Sequence, residues 1–312
     1  MATELSNSLL GVLDKLAGGI HPGFRPAHAH GVMYSGTFTP APEAATLTNA
    51  PHVTRPSTPI TVRFSISSGN PAGAENDPKG SSPQGMAIRF HLAEHEHTDI
   101  VAHSHNGFAT RTGEEFLQFL SAVAASSAPD APNPPPIEAF LASHPAAKAF
   151  ATADKPIPKS FATQNFFAIT AFKFTNASGA SQYGRFRLLP AAGKHVLTPD
   201  EAAKQPTNFL SAEFSQRLTK GPVQFQIMVQ LAQPSDDVAD STKVWPEDRK
   251  QLTFGTLTIT ERSDELDPEL RKIIFDPVPR VAGIDTAGDP LTEVRSDIYL
   301  LSGRRRRTNG TV

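Results

Sequence analysis

From Val223 to Leu231 the chain alternates without a break: Val223, Phe225, Ile227, Val229 and Leu231 fall on one side, and Gln224, Gln226, Met228 and Gln230 on the other. A period of two is what a half-buried β-strand requires, because successive side chains point to opposite faces. The same pattern recurs along the chain. Over residues 60–67 Val62 and Phe64 oppose Arg63 and Ser65, while Met86–Leu92 and Asp99–His103 read as two further strands joined by a polar turn at Ala93–Thr98. Gln164–Thr175 and Gln182–Leu189 flank the polar turn Asn176–Ser181 and predict a hairpin. Leu252–Thr260 is another strand, with a phase slip at Gly255–Thr256 that predicts a bulge. Seven or eight strands in hairpin or meander order predict an α+β fold: an antiparallel β-barrel of about eight strands with inserted and C-terminal helices, rather than a parallel α/β sheet.

The helices show a different period. Leu5, Leu9, Val12, Leu13 and Leu16 recur at helical spacing and stop at Gly18–Gly19. Gly113–Ala125, Ile137–Ala151 with a break at Pro145, Pro199–Lys204 and Asn208–Leu218 are also helical, whereas His21–Gly31, interrupted by two prolines, is irregular or extended. The proline-rich stretch 127–136 reads as a surface connector within one domain spanning 1–312 (core 20–307), because strand patterns resume beyond it. With 28 prolines and 21 glycines spread through the chain, long loops between short strands are expected.

Composition removes several function classes. There is no cysteine, so disulfides and thiolate-bound metals are excluded. Twenty-nine basic residues balance 31 acidic ones, which gives no footprint for nucleic acid. No apolar run is long enough for a membrane span. Glu4, Asp14 and Lys15 interrupt the N-terminal segment and argue against a signal peptide, so a cytoplasmic protein is expected.

Two groupings carry chemistry. Seven of the 11 histidines fall in two clusters, His28 and His30, then His91, His95, His97, His103 and His105. A His-x-His pair on a strand puts both imidazoles on one face, which suits a metal-binding barrel; His95 and His97, inside Glu94–Asp99, also read as an exposed polar turn. The second grouping is Pro290–Arg307, a helix with Leu291, Val294, Ile298 and Leu301 along one stripe. Arg295 and Tyr299 are four residues apart and project from one face. A guanidinium one turn from a phenol favours the phenolate, a hard anionic ligand of the kind that binds haem iron.

In order along the chain, Arg25-x-x-His28-Ala29-x-Gly31, Val62-Arg63-Phe64-Ser65, Gly85–Phe90, Asp99-Ile100-Val101, Asp240–Pro246, Phe275-Asp276-Pro277 through Gly283-Ile284, and Arg295-x-x-x-Tyr299 resemble the motifs of the haem catalases, over residues 21–307. The resemblance implies a haem cofactor, of the b type, with Tyr299 as its iron ligand and Arg295 as the partner of the phenolate. It implies His28 as the acid–base group, with a pKa near 6.5 and a ring held by Ser65; Arg25, Arg63 and Arg306 as the holders of the haem propionates; and Phe108 packed beside the haem. Two positions depart from the family pattern: His103 stands where an asparagine is usual, and His30 where a lysine is. The chain is also shorter than most members, in outline like the small catalase-related peroxidases, and a homodimer is one expectation for its assembly. The implied activity is reduction of hydrogen peroxide or small organic hydroperoxides by an organic electron donor, with weak disproportionation of peroxide. Readings left open are a true catalase, a converter of lipid hydroperoxides, and a metal- or haem-binding barrel without turnover.

Overall fold

The computed structural model of the chain describes residues 2–263 and 268–309. Its strands are β1 (Gly31–Pro40), β2 (Thr58–Ser65), β3 (Gly85–Ala93), β4 (Glu96–His103), β5 (Phe166–Phe167), β6 (Phe172–Thr175), β7 (Ser181–Pro190), β8 (Val223–Leu231), β9 (Gln251–Arg262) and β10 (Ile284–Thr286). Along the order β7-β5-β4-β3-β2-β1-β9-β8 each strand pairs with the next, and β8 pairs back to β7, so eight strands close a barrel while β6 and β10 extend the sheet beyond β7. Closure leaves no long free edge in the ring.

The alternation selects what fills it. Val62 and Phe64 of β2, Ile88 and Phe90 of β3, and Phe225, Ile227 and Val229 of β8 are buried in one apolar core. Phe64 lies with its ring centroid 5.1 Å from that of Phe161 and 5.0 Å from that of Phe214. Burying a side chain of this size is worth about 1.5–3 kcal/mol, so this row contributes much of what holds the barrel shut.

The strand boundaries differ from the expected ones in three places. Gln164–Thr175 is not one strand: β5 and β6 are separated by residues 168–171, which are buried at consecutive positions, something an alternating strand cannot provide. The turn expected over Ala93–Thr98 shrinks to Glu94 and His95, the latter at φ 63°, and His97 is drawn into β4 opposite His91. The bulge in β9 falls one residue early, since Ile227 faces Gly255 and Met228 faces Thr253, leaving Phe254 as the extra residue.

The helices are α1 (Ala2–Leu16), α2 (Ala44–Leu47), α3 (Pro51–Thr54), α4 (Gly113–Ser126), α5 (Pro136–Ser143), α6 (Pro145–Thr152), α7 (Pro199–Ala203), α8 (Phe209–Leu218), α9 (Pro268–Lys272) and α10 (Pro290–Asn309). A second apolar cluster, outside the barrel, joins α1, α4, α6 and α10 through Leu9, Leu10, Phe119, Leu120, Ala147 and Ile298. Polar contacts fix where α10 lies. Arg305 donates two hydrogen bonds to the Asp14 carboxylate of α1, at 2.6 and 2.7 Å. Ser296 donates to Asp276 at 2.8 Å, and the Asp276 backbone N–H donates at 2.8 Å to Asp99 on β4, which also receives two bonds from Arg89. Charge-assisted bonds of this kind, partly buried, hold the helix in register against the barrel wall. No described helix is long and apolar enough to cross a membrane.

Candidate functional site

The pleat decides what faces α10. On β2 the residues that do not enter the barrel core, Arg63 and Ser65, border a cavity between the outer face of β2–β4 and α10. Strand register then sets two cross-strand rows on that wall, Ser65–Gly85–His103 and Arg63–Ala87–Val101. Arg295, Tyr299 and Arg306 reach the cavity from α10, Arg25 and His28 from the segment before β1, and Phe108 from the loop before α4. All nine side chains singled out in the sequence, scattered from residue 25 to 306, thus line one space.

His28 sits at φ 54°, in the left-handed region that non-glycine residues rarely adopt. The strain is held by its surroundings: Arg63 donates to the His28 carbonyl at 2.8 Å, and the His28 N–H donates to Ser67 O at 3.2 Å. This conformation takes His28 off the strand, so His28 and His30 do not share a face, as a metal-binding pair would. The His28 Nδ1 is 3.1 Å from Ser65 Oγ, which leaves Nε2 for the cavity. Its pKa is not near 6.5: burial first, then the guanidiniums of Arg63, Arg25 and Arg295, push it down to about 4. The ring is therefore a neutral base throughout the physiological range. Gly85 makes room for it, since a Cβ there would lie 2.7 Å from Ser65 Oγ and 3.0 Å from His28 Nδ1. Sequence reading missed Gly85 as a site residue because only the register row reveals it.

Arginines dominate the charge of the cavity. Arg63, Arg295 and Arg306 are buried and Arg25 half-buried, and among the described residues no carboxylate pairs with any of the four. Arg25 and Arg306 both donate to the Ile273 carbonyl, at 2.9 and 3.2 Å, and Arg63 to the His28 and Ala29 carbonyls. Arg306 Nε and Arg295 Nη1 are buried without a partner among the described residues. Burial, followed by mutual repulsion, pushes Arg63 and Arg306 down to about 9 and holds Arg25 well below its ordinary value. A guanidinium keeps its proton under such conditions, so the unfavourable field is expressed as affinity for an anion. This donor set fits a dianionic ligand, as haem is through its two propionates.

On the same wall, Arg295 Nε and Nη2 both donate to Tyr299 Oη at 3.4 Å, the i,i+4 contact expected from the sequence. Both contacts are N–H donors, so the oxygen keeps a lone pair with which it could bind a Lewis acid such as a metal ion. Opposite, His103 Nδ1 accepts from the His105 N–H at 3.2 Å, while its Nε2 is buried with no partner among the described residues. Phe108 lies 6.4 Å from the His103 ring and 5.1 Å from that of Phe116. Among the described residues no three histidine or carboxylate side chains converge as a metal site would require. His95 is exposed at its turn, and His91 turns to Thr61 Oγ1 at 2.9 Å.

His30 serves a different purpose from His28. Its Nδ1 is 3.1 Å from the Pro71 carbonyl and its Nε2 3.1 Å from Glu75 Oε1, so both nitrogens face acceptors and the ring is held as the cation. Glu75, fully buried and also missed in the sequence, accepts from the Leu210 and Ser211 N–H groups at the start of α8, at 2.6 and 3.1 Å. The Glu75 hydrogen bond raises the His30 pKa above its ordinary value. Below about pH 6.5, where an unfolded histidine is also protonated, the pair contributes fully; as pH rises through the higher folded value the contribution is lost. Urea unfolding at successive pH values is expected to show stability falling above about pH 6.5 relative to a His30→Gln variant, which removes the titrating group. Equal slopes for the two proteins would disprove the linkage.

A family model described as Catalase matches residues 23–311. The chain is 32% identical over 292 residues to a catalase-related peroxidase of Mycolicibacterium paratuberculosis, covering 93% of this chain and 91% of that protein. It is 30% identical over 300 residues to a catalase-related peroxidase of Synechococcus elongatus, covering 95% and 87% of the two chains. Among solved structures, catalase A from Saccharomyces cerevisiae has the same fold, with a TM-score of 0.79 and 20% identity over 91% of this chain and 61% of that one.

Proposed function

The chain belongs to the catalase family, and from that premise we propose that it is a haem-dependent peroxidase that reduces hydrogen peroxide or small organic hydroperoxides with electrons from an organic donor. What supports this above all is the set of four guanidiniums around one cavity, none paired with a carboxylate among the described residues, matched by a phenol on α10 and a neutral imidazole on the facing wall. Tyr299 would hold the iron of the haem, proposed to be of the b type, and Arg25, Arg63 and Arg306 its propionates. When bound, the haem iron supplies the redox centre that takes two electrons from the donor to the peroxide.

The chain's own residues supply the rest. Reduction of ROOH to ROH and water needs two electrons and two protons, which the donor gives up, and one O–O bond breaks. With Nδ1 anchored at Ser65, His28 Nε2 takes the proton of the bound hydroperoxide and returns it to the departing R-bearing oxygen, which leaves as ROH, or as water when R is hydrogen; the other oxygen becomes water with the donor's two electrons and two protons. Its depressed pKa suits this cycle, because the ring is free to accept at neutral pH. Arg295 orients the Tyr299 oxygen through two N–H donors. The neighbouring Phe108, Phe116 and Ile298 give the cavity part of its apolar lining. Since His103 replaces a carboxamide by a bulkier ring, slow disproportionation and relatively fast oxidation of organic donors are proposed. The test is to load the pure chain with haem b, record its absorption spectrum, and assay peroxide with and without a phenolic donor. A Soret band with donor oxidation exceeding oxygen release is expected; a protein that takes up no haem, or that releases oxygen while ignoring the donor, contradicts the proposal.

A further inference from the structure

The walls of the cavity are held in two different ways. Strands β2–β4 and helix α10 carry their own backbone hydrogen bonds, whereas residues 272–275, which run from the end of α9 along the cavity, do not belong to a ladder. Among the described residues no backbone–backbone bond joins this strap to the barrel or to α10. Its consecutive carbonyls are taken by arginine side chains instead. Arg307 donates to the Lys272 carbonyl at 3.0 Å, Arg25 and Arg306 both donate to that of Ile273, at 2.9 and 3.2 Å, and Arg89 donates to that of Ile274. The strap lies between the cavity and solvent: Lys272 is exposed, Ile273 and Ile274 are half-buried, Phe275 is buried, and Ile274 and Phe275 line the cavity. Its far end is fixed, since the Asp276 N–H donates to the buried Asp99 carboxylate at 2.8 Å.

Two of these arginines serve both the strap and the ligand. A bidentate grip on a carboxylate uses Nη2 in either fork of a guanidinium, and it is Nη2 of both Arg25 and Arg306 that holds Ile273. A dianion arriving at this end draws on the groups that keep the strap down. A carboxylate is also the stronger acceptor, because its bond to a guanidinium joins two charges, while the Ile273 carbonyl is neutral. We propose that residues 272–275 form a gate for haem: the strap swings about Asp276, yields the Ile273 carbonyl while the macrocycle passes, and settles back with Ile274 and Phe275 against it. Gly303 on α10 fits the closed position, since a Cβ there would lie 2.2 Å from Ile274 Cδ1 and 2.4 Å from Cγ1. Side chains can release the strap without breaking a sheet or a helix, so the rest of the site keeps its shape as the gate moves. The gate rests on the haem reading above and adds to it a route of entry.

The contact at Gly303 supplies the test. A Cβ on Gly303 would lie 3.7 Å from the Cβ of Ile274, inside the range of about 3.5–4.5 Å that a disulfide spans, and the chain has no cysteine of its own. In the double variant Ile274→Cys/Gly303→Cys, diamide takes up the two thiol hydrogens and joins the sulfurs, and a phosphine restores the thiols. Uptake of haem b, followed by its Soret band, should be slower in the joined form than in the reduced form of the same protein by about tenfold or more. Haem loaded before joining should pass to apomyoglobin more slowly by a similar factor. Equal rates in the two forms overturn the gate. Arg307→Ala gives the opposite comparison without a disulfide, because it frees the Lys272 carbonyl on the solvent side. Uptake and loss of haem should both quicken, by about two- to tenfold, whereas removing a cation alone would slow the arrival of a dianion. Uptake no faster than that of the wild type overturns the gate. If neither the wild type nor the reduced double variant takes up haem, the cofactor reading falls and the gate falls with it.

Discussion

Replacing Tyr299 by phenylalanine is expected to strip the protein of haem while leaving its barrel folded. The substitution keeps the ring, which packs in the helical cluster around Leu9, Phe119 and Ile298, and removes a single oxygen. Among the described residues that oxygen receives two 3.4 Å bonds, both from Arg295, so unfolding stability should change by about 1 kcal/mol or less. The barrel core belongs to a separate cluster and does not feel the change. Haem retention should respond very differently. Losing even an outer partner of a metal ligand weakens binding by about 10–100-fold, and losing the ligand itself should cost more. The measurement is haem per chain after purification and gel filtration, beside a urea transition for the same sample. Expected are an intact transition and a nearly colourless protein. A Tyr299→Phe variant with a full complement of haem and an unchanged spectrum would place the iron on another side chain and sink the reading of α10.

How much of this was legible in the sequence depends on whether a feature is periodic. β8 and β2 read clearly because one face of each enters the core and the other does not. β1 does not read from the pattern although Val32, Tyr34 and Phe38 alternate, because Gly36 occupies the position where the next apolar residue would stand. The structure gives the reason: a Cβ at Gly36 would lie 2.2 Å from the Thr258 carbonyl, so close approach to β9 excludes any side chain. The buried stretch 168–171 was misread for the opposite reason, since continuous burial hides the departure from the ladder. The nine side chains of the candidate site were found through collinear motifs, not periodicity, and they converge because strand register and the i,i+4 spacing of α10 bring them to one cavity. Gly85 and Glu75 escaped, as their roles come from what lies across a strand or at a distant helix start. The depressed pKa of His28 also escapes, since burial and three arginines, two of them distant in sequence, create it.

The second large effect concerns proton transfer. His28→Asn removes the imidazole but suits the backbone, because asparagine tolerates the left-handed conformation that residue 28 adopts at φ 54°. Haem uptake should remain close to wild type, since neither Tyr299 nor the arginine side chains change. Turnover of peroxide should fall by about 10²–10⁴-fold, the usual worth of a positioned acid–base group. The pH profile provides a check that a merely structural role would not pass. With a pKa of about 4, His28 stays unprotonated as pH falls through 6 and 5, so the wild-type rate should hold until about pH 4 and decline below it. A variant that loses this group should lose the acid limb with it. Gly85→Ala gives a milder version of the same loss: its methyl, forced against Ser65 Oγ and His28 Nδ1, displaces the ring without deleting it, and should lower turnover while leaving the limb in place. Should His28→Asn turn over peroxide at the wild-type rate with the same pH limb, the proton must pass through another side chain, and the base assigned to this wall of the cavity would be wrong.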